Sequence, residues 1–149
     1  MGIIRLPIGF KEFLQSLNAR KVDYLLVGGY SVSYYGYPRA TAGVDIWIRV
    51  SKLNSTRLSK ALVDYGFDAS NVRPKTFHRR GPMFRIGVPP LRIEILTSIS
   101  GVTFAACFPK RTVAEIDGIT VPVISLRDLK KNKRASRRLK DLDDLKNLP

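Results

Sequence analysis

The chain has 149 residues and a formal net charge of +14, from 26 lysines and arginines against 12 acids; that length is enough for one domain with a real core, and the charge favours an anionic partner, most simply nucleic acid. No apolar run reaches the roughly 18 residues that span a bilayer, and residues 1–14 lack the apolar core and cleavage site of a signal peptide. Gly2 does not start a myristoylation pattern, because Leu6 stands where Ser or Thr is needed. One cysteine, Cys107, excludes an intrachain disulfide and a cysteine zinc site. The expectation is a cytoplasmic protein with no membrane segment.

Phe10, Phe13, Leu14 and Leu17 recur at the period of an amphipathic helix over about residues 9–20. Residues 23–27 form a short apolar strand ending at Gly28 and Gly29, which permit positive φ and close backbone approach. Residues 31–35 make a short helix that Pro38 ends. Residues 44–50 alternate, with Val44, Ile46, Ile48 and Val50 on one face and Asp45, Trp47 and Arg49 on the other, in line with Gly43. Ser51 or Asn54 caps the next helix, whose apolar face is Leu58, Ala61, Leu62 and Tyr65 and whose stop is Gly66. Residues 68–82 are polar and loop-like, with a basic cluster at Lys75, His78, Arg79 and Arg80. Residues 83–88 and 91–96 are strands joined by Pro89 and Pro90, a link too short for a helical crossover, so they form an antiparallel hairpin. Arg92 and Glu94 share one face of its second strand; Leu91, Ile93 and Ile95 share the other. Residues 112–116 and 119–123 flank Asp117-Gly118, a hairpin turn. Leu126 and Leu129 then open a helix, and Leu139, Leu142 and Leu145 continue an apolar stripe after a break near Ser136. Residues 127–140 hold eight basic side chains against one acid, Asp128; Arg137–Asp141 and Lys140–Asp144 are i, i+4 pairs of a solvated helix. The pattern predicts one α/β (α+β) domain with a mixed sheet flanked by helices, a core over about residues 9–123 and a basic helical segment over about 125–147.

Gly28-Gly29-Tyr30-Ser31 at a strand end, opening a helix, is an arrangement that binds anions through free N–H groups; a tight turn with no ligand is the plain alternative. Asp45 and Glu94 sit mid-strand among branched aliphatics. Each alone fits a solvated face, but the two together, with the glycine turn upstream, favour a shared divalent-metal site, since Mg²⁺ takes carboxylate and phosphate oxygens. Two-metal phosphoryl chemistry asks for about three carboxylates. His78 reads as a loop residue or phosphate contact, Cys107 as core, and Tyr30, Tyr34, Tyr35 and Tyr37 as packing for the short helix, with stacking on a base as the alternative.

The ordered set of YLLVGGYSVSYYGYPRAT, VDIWI, RIEILTSISGV and IDGITVPVISLRDLKKNKRASRRLKDLDDL resembles the nucleotidyltransferase superfamily, with its DNA polymerase β-like fold. It looks like the small bacterial nucleotidyltransferase-like proteins related to abortive-infection and toxin–antitoxin nucleotidyltransferases. The resemblance covers most of residues 22–146. It implies that Gly28, Gly29 and Ser31 cradle the β- and γ-phosphates of a nucleoside triphosphate and that Arg39 meets a phosphate. Asp45 and Glu94 would be the second and third metal carboxylates, holding Mg²⁺ or Mn²⁺, with Glu94 in a position usually occupied by Asp. Lys133, Arg137, Lys140 and Asp141 match the basic terminal motif near the nucleotide. The implied reaction is nucleotidyl transfer to a hydroxyl of RNA, such as a tRNA end, or of a protein. The chain departs from the family at Gly43, where an Asp bridges both metals; Asp117 and Asp128 are poor substitutes. The alternative is therefore a catalytically degenerate nucleotide- or RNA-binding module, including one half of a toxin–antitoxin-like pair. Gly43→Asp is the substitution expected to separate the two by raising transfer.

Overall fold

The computed structural model describes residues 4–81 and 83–149. The readings made on Gly2 and the first residues, and on the end of the 68–82 loop, lie outside the described residues.

A six-stranded mixed sheet of order β3-β4-β2-β1-β6-β5 organises the protein. Its centre is β1 (Tyr24–Val27), every residue of which is buried; an unbroken apolar run is what a strand covered on both faces requires. β2 (Gly43–Ile48) pairs antiparallel with β1, placing Val27 opposite Asp45. β4 (Arg92–Leu96) runs parallel to β2, and β3 (Met83–Ile86) pairs antiparallel with β4 at one edge. On the other side β6 (Ile119–Val123) runs parallel to β1 and carries the antiparallel edge strand β5 (Thr112–Ile116). The β5–β6 turn forms at Asp117 and Gly118, both at positive φ, +50° and +82°, as a two-residue hairpin turn matched to strand twist demands.

One face of the sheet packs on α1 (Ile8–Ala19) and α3 (Lys52–Tyr65): Phe10, Phe13, Leu14, Leu17, Leu58 and Leu62 bury against Leu26, Ile46, Ile93 and Val121. Losing one such ring, as in Phe13→Ala, costs about 3–5 kcal/mol. Ser51 caps α3 by accepting from Asn54 N at 3.1 Å. Asn54 is not the cap; its amide ties Asp23 N and O to Arg49 O, fastening the start of β1 to the end of β2. The other face carries a second core of Leu25, Val27, Val32, Trp47, Phe104, Cys107 and Leu129. These come from β1, α2 (Gly28–Tyr34), β2, α4 (Phe104–Cys107) and α5 (Leu126–Ser136). Trp47 therefore lies buried under Phe104, at 5.2 Å between ring centroids, on the strand face that also carries Asp45.

Several expectations shift. The short helix starts at the glycines rather than after them. The 68–82 stretch holds two 3₁₀ turns, Ala69–Asn71 and Pro74–Phe77, the second burying Phe77. Leu91 precedes β4 and is exposed instead of sharing the face of Ile93 and Ile95. The largest change is in α6 (Leu139–Asn147), whose buried residues are Asp141 and Asp144, while Leu139 is 88% exposed. Its expected leucine stripe faces outward because the inward side neutralises buried cations. Among the described residues no helix is long and apolar enough to cross a membrane.

Candidate functional site

Strand register builds the site. Arg85 of β3 lies opposite Glu94 of β4, Glu94 opposite Asp45 of β2, and Asp45 opposite Val27 of β1. One row across the sheet thus reads Arg85, Glu94, Asp45, Val27, and Gly28 follows at the turn into α2. A cavity of about 530 Å³ lies over this row, bounded also by Asn132, Lys133 and Ser136 of α5 and by Arg138 and Lys140 where α6 begins. Six basic side chains line it (Arg39, Arg85, Arg92, Lys133, Arg138 and Lys140) against two carboxylates, Asp45 and Glu94.

Those carboxylates differ. Burial first, and then the charge and hydrogen bond of Glu94, push the Asp45 carboxyl up to about 7, against a weaker downward pull from Lys140 and Lys133. Two acids side by side in a partly buried site do not both ionise freely. Glu94 Oε1 is held by two guanidinium groups, Arg85 Nε at 3.0 Å and Arg92 Nη1 at 3.5 Å.

The glycine turn opens on the cavity, yet the space above it is filled by the protein's own side chains. Gly28, at φ +68°, has Asp45 Oδ2 2.1 Å from where a Cβ would stand, and Gly29 has Thr41 Oγ1 at 2.6 Å from the equivalent point. The glycines let Asp45 and Thr41 close onto the backbone. Ser31 is fully buried and donates to Gly28 O at 2.7 Å, inside the turn rather than toward the cavity.

Gly43 is the position that decides the metal question. A Cβ there would stand 1.8 Å from Arg92 O and 2.6 Å from its carbonyl carbon. These are backbone atoms of the paired strand, which cannot rotate away. Gly43 is glycine because β4 passes too close for any side chain, and its place on the Asp45 face is not an empty ligand position.

The terminal helices are joined by a buried ionic cluster. Lys133 Nζ donates to Asp141 Oδ1 at 2.9 Å and lies 3.0 Å from Asp144 Oδ2. Arg39 makes a bidentate pair with Asp144, at 2.5 and 2.7 Å. Ser136 and Arg138 donate to Asp141 Oδ2. Burial pushes the Asp141 carboxyl up, but the donated hydrogen bonds of Ser136, Lys133 and Arg138 outweigh it and hold it at about 2. The expected i, i+4 pairs, Arg137–Asp141 and Lys140–Asp144, are replaced by these partners. Lys133 and Arg39 line the cavity, but both are engaged in holding α6 in place.

The fold thus gathers Gly28, Gly29, Arg39, Asp45, Glu94, Lys133 and Lys140 around one cavity, and leaves Ser31 and Arg137 outside its lining. A two-ion centre does not fit these residues. Among the described residues only two carboxylates face the cavity, one held by a pair of arginines; a third is blocked at Gly43; and no group of three or more His, Cys, Asp or Glu side chains among them stands together as a metal set. Sequence reasoning missed Arg85, Asp144 and Thr41. The hairpin register from Pro89-Pro90 carried the signal for Arg85, since it sets Arg85 opposite Glu94. Asp117 is remote, pairing with Arg5 and accepting from Leu6 N, and Asp128 is buried beside Lys110. His78 is exposed, Cys107 is core, and Tyr30, Tyr34 and Tyr35 pack against the apolar clusters.

The architecture is a nucleotidyltransferase-like fold. A crystal structure of a "putative nucleotidyltransferase" from Thermotoga maritima superposes with a TM-score of 0.59 over 92% of this chain and 86% of that chain, at 15% sequence identity. At that identity the likeness is one of fold. No family model matches the sequence, and no curated protein matches it significantly.

Proposed function

We propose that this protein is a nucleotide-binding module on a nucleotidyltransferase-like fold, taking a nucleoside triphosphate in the basic cavity and not performing two-metal nucleotidyl transfer. The observation that carries the reading is the closed space at Gly43, where Arg92 O stands 1.8 Å from any Cβ. Without a bridging carboxylate the in-line geometry of phosphoryl transfer is not set, and small misplacements there cost orders of magnitude in rate. The cavity supports the binding half: at about 530 Å³ it suits a small ligand, Lys140 together with Arg85 and Arg92, which share one carboxylate, suit a phosphate chain, and Val27, Met83, Leu96 and Ile99 offer apolar wall for a base. Isothermal titration with each nucleoside triphosphate, beside a label-transfer assay with total RNA, tests it. Binding at micromolar concentration without transfer is expected. Transfer that disappears in Asp45→Asn would overturn the reading in favour of an active enzyme.

RNA as the macromolecular partner is favoured by α5. Arg127, Lys131 and Arg134 lie exposed on its outer side, and with Arg137 and Lys140 they make no ion pair among the described residues. Phosphate contacts release counterions, so RNA affinity is expected to fall steeply with salt; a flat response removes RNA from the proposal.

A further inference from the structure

We infer that the cavity takes its polyphosphate without a divalent cation, with Arg85 and Arg92 supplying the charge that a metal ion would otherwise bring. This rests on the nucleotide-binding reading above and specifies it.

Glu94 Oε1 is 3.0 Å from Arg85 Nε and 3.5 Å from Arg92 Nη1. A magnesium ion on that oxygen, at roughly 2.1 Å, would lie within a few ångströms of two guanidinium groups. Like charges that close repel by several kcal/mol even at the effective dielectric of a protein surface, on the order of 4 kcal/mol per unit pair at 4 Å. Asp45 is the carboxylate beside Glu94 that could offset this repulsion; a further one has no place at Gly43, because β4 backbone occupies the position. The site therefore offers the ion Asp45 and Glu94 with no third carboxylate, and the two guanidinium groups on Glu94 oppose it.

The same arginines are well placed for an anion. One carboxylate shared between two guanidinium groups leaves a net positive charge, and each guanidinium has further N–H donors beyond the one aimed at Glu94. Arg85 projects from an edge strand with 57% of its side chain exposed, so it can turn toward a ligand, while Arg92 is held at 28%. Lys140, which makes no ion pair among the described residues, lines the same cavity. Glu94 is then a competitor of the ligand for Arg85 and Arg92 and not its metal ligand.

That inversion gives a test of sign. Full-length protein is titrated calorimetrically with ATP and with inorganic tripolyphosphate, in EDTA and in excess Mg²⁺. The wild type, Glu94→Gln, Arg85→Ala, Arg85→Lys and Arg92→Ala are compared, with circular dichroism confirming the fold of each. The expected results are binding in EDTA that weakens several-fold when Mg²⁺ masks the phosphate charge, Glu94→Gln as tight as the wild type or tighter, and a loss of about tenfold in Arg85→Ala from the missing charge-assisted hydrogen bonds. Arg85→Lys should recover part of that loss. If Arg92→Ala misfolds, the exposed Arg85 decides the matter alone. Binding that requires Mg²⁺ and is lost in Glu94→Gln overturns metal independence and leaves nucleotide binding standing. No binding of ATP or tripolyphosphate under either condition overturns both.

Discussion

Gly43→Asp is the substitution that the family resemblance recommends and that the fold forbids. The added Cβ begins 1.8 Å from Arg92 O and 2.6 Å from its carbonyl carbon, where real contacts stay beyond about 3 Å, so β2 and β4 must separate by more than 1 Å at this pair. That opening strains the end of a five-pair parallel ladder and the bond from Arg92 N to Ala42 O at 3.4 Å. Overpacking costs roughly 1–3 kcal/mol and a lost backbone hydrogen bond about 1 kcal/mol more, together about 2–4 kcal/mol. For a chain of this size that lowers Tm by about 5–15 °C. Gly43→Ala carries the same first atom and no charge, so the two variants should lose similar stability in urea or thermal unfolding, and neither should gain label transfer. Gly43→Asp with the wild-type Tm and a new Mg²⁺-dependent transfer activity would refute the steric reasoning. A large loss in the aspartate variant alone would show that charge, not volume, is what the position rejects.

Lys133→Met should destabilise by about 3–5 kcal/mol in urea unfolding, because Asp141 and Asp144 are left buried with fewer partners. Asp141 is held at about 2, so the stability it contributes is complete above the ordinary carboxylate range and fades as pH falls from about 4 through 2; Asp141→Asn should flatten that part of an acid-unfolding profile. Asp45 has the opposite sign. Its folded value of about 7 lies above its unfolded one, so the wild type should lose stability as pH rises from about 4 through 7, and unfolding of Asp45→Asn at pH 5 and pH 8 should show little of that loss. Leu139→Ser should change stability by no more than about 0.5 kcal/mol, since the side chain is 88% exposed; a loss of 2 kcal/mol would restore the leucine stripe as core.

That last contrast shows where sequence reading stops. Leu139, Leu142 and Leu145 form a helical stripe, and so do Asp141 and Asp144. The two are offset by two residues, about 200° around the helix, and hydropathy alone selects the leucines. The tertiary structure selects the aspartates because Lys133 is buried, with 4% of its side chain exposed, and a buried ammonium must be matched by carboxylates. Elements set by local chemistry were legible: α1 and α3 from their apolar period, the 83–96 hairpin from a link too short to cross over, and the β5–β6 turn from Asp117-Gly118. The gathering of Asp45, Glu94 and the glycine turn was legible too, because each follows from strand alternation and order.

Gly43 was legible as to face but not as to distance. Alternation puts it in line with Asp45, and comparison with a family then presents it as a carboxylate that has been lost. Interstrand spacing is a property of two segments about fifty residues apart, and neither segment encodes it alone. Once β4 is in place, the glycine is required for that approach, just as Gly28 is required for Asp45 to lie against the turn. An aspartate at position 43 would therefore require a different strand approach. Arg85 of β3 and Arg92 of β4 pair with Glu94 beside that position. Placing an aspartate at position 43 without moving β4 would not add a third carboxylate to the cavity.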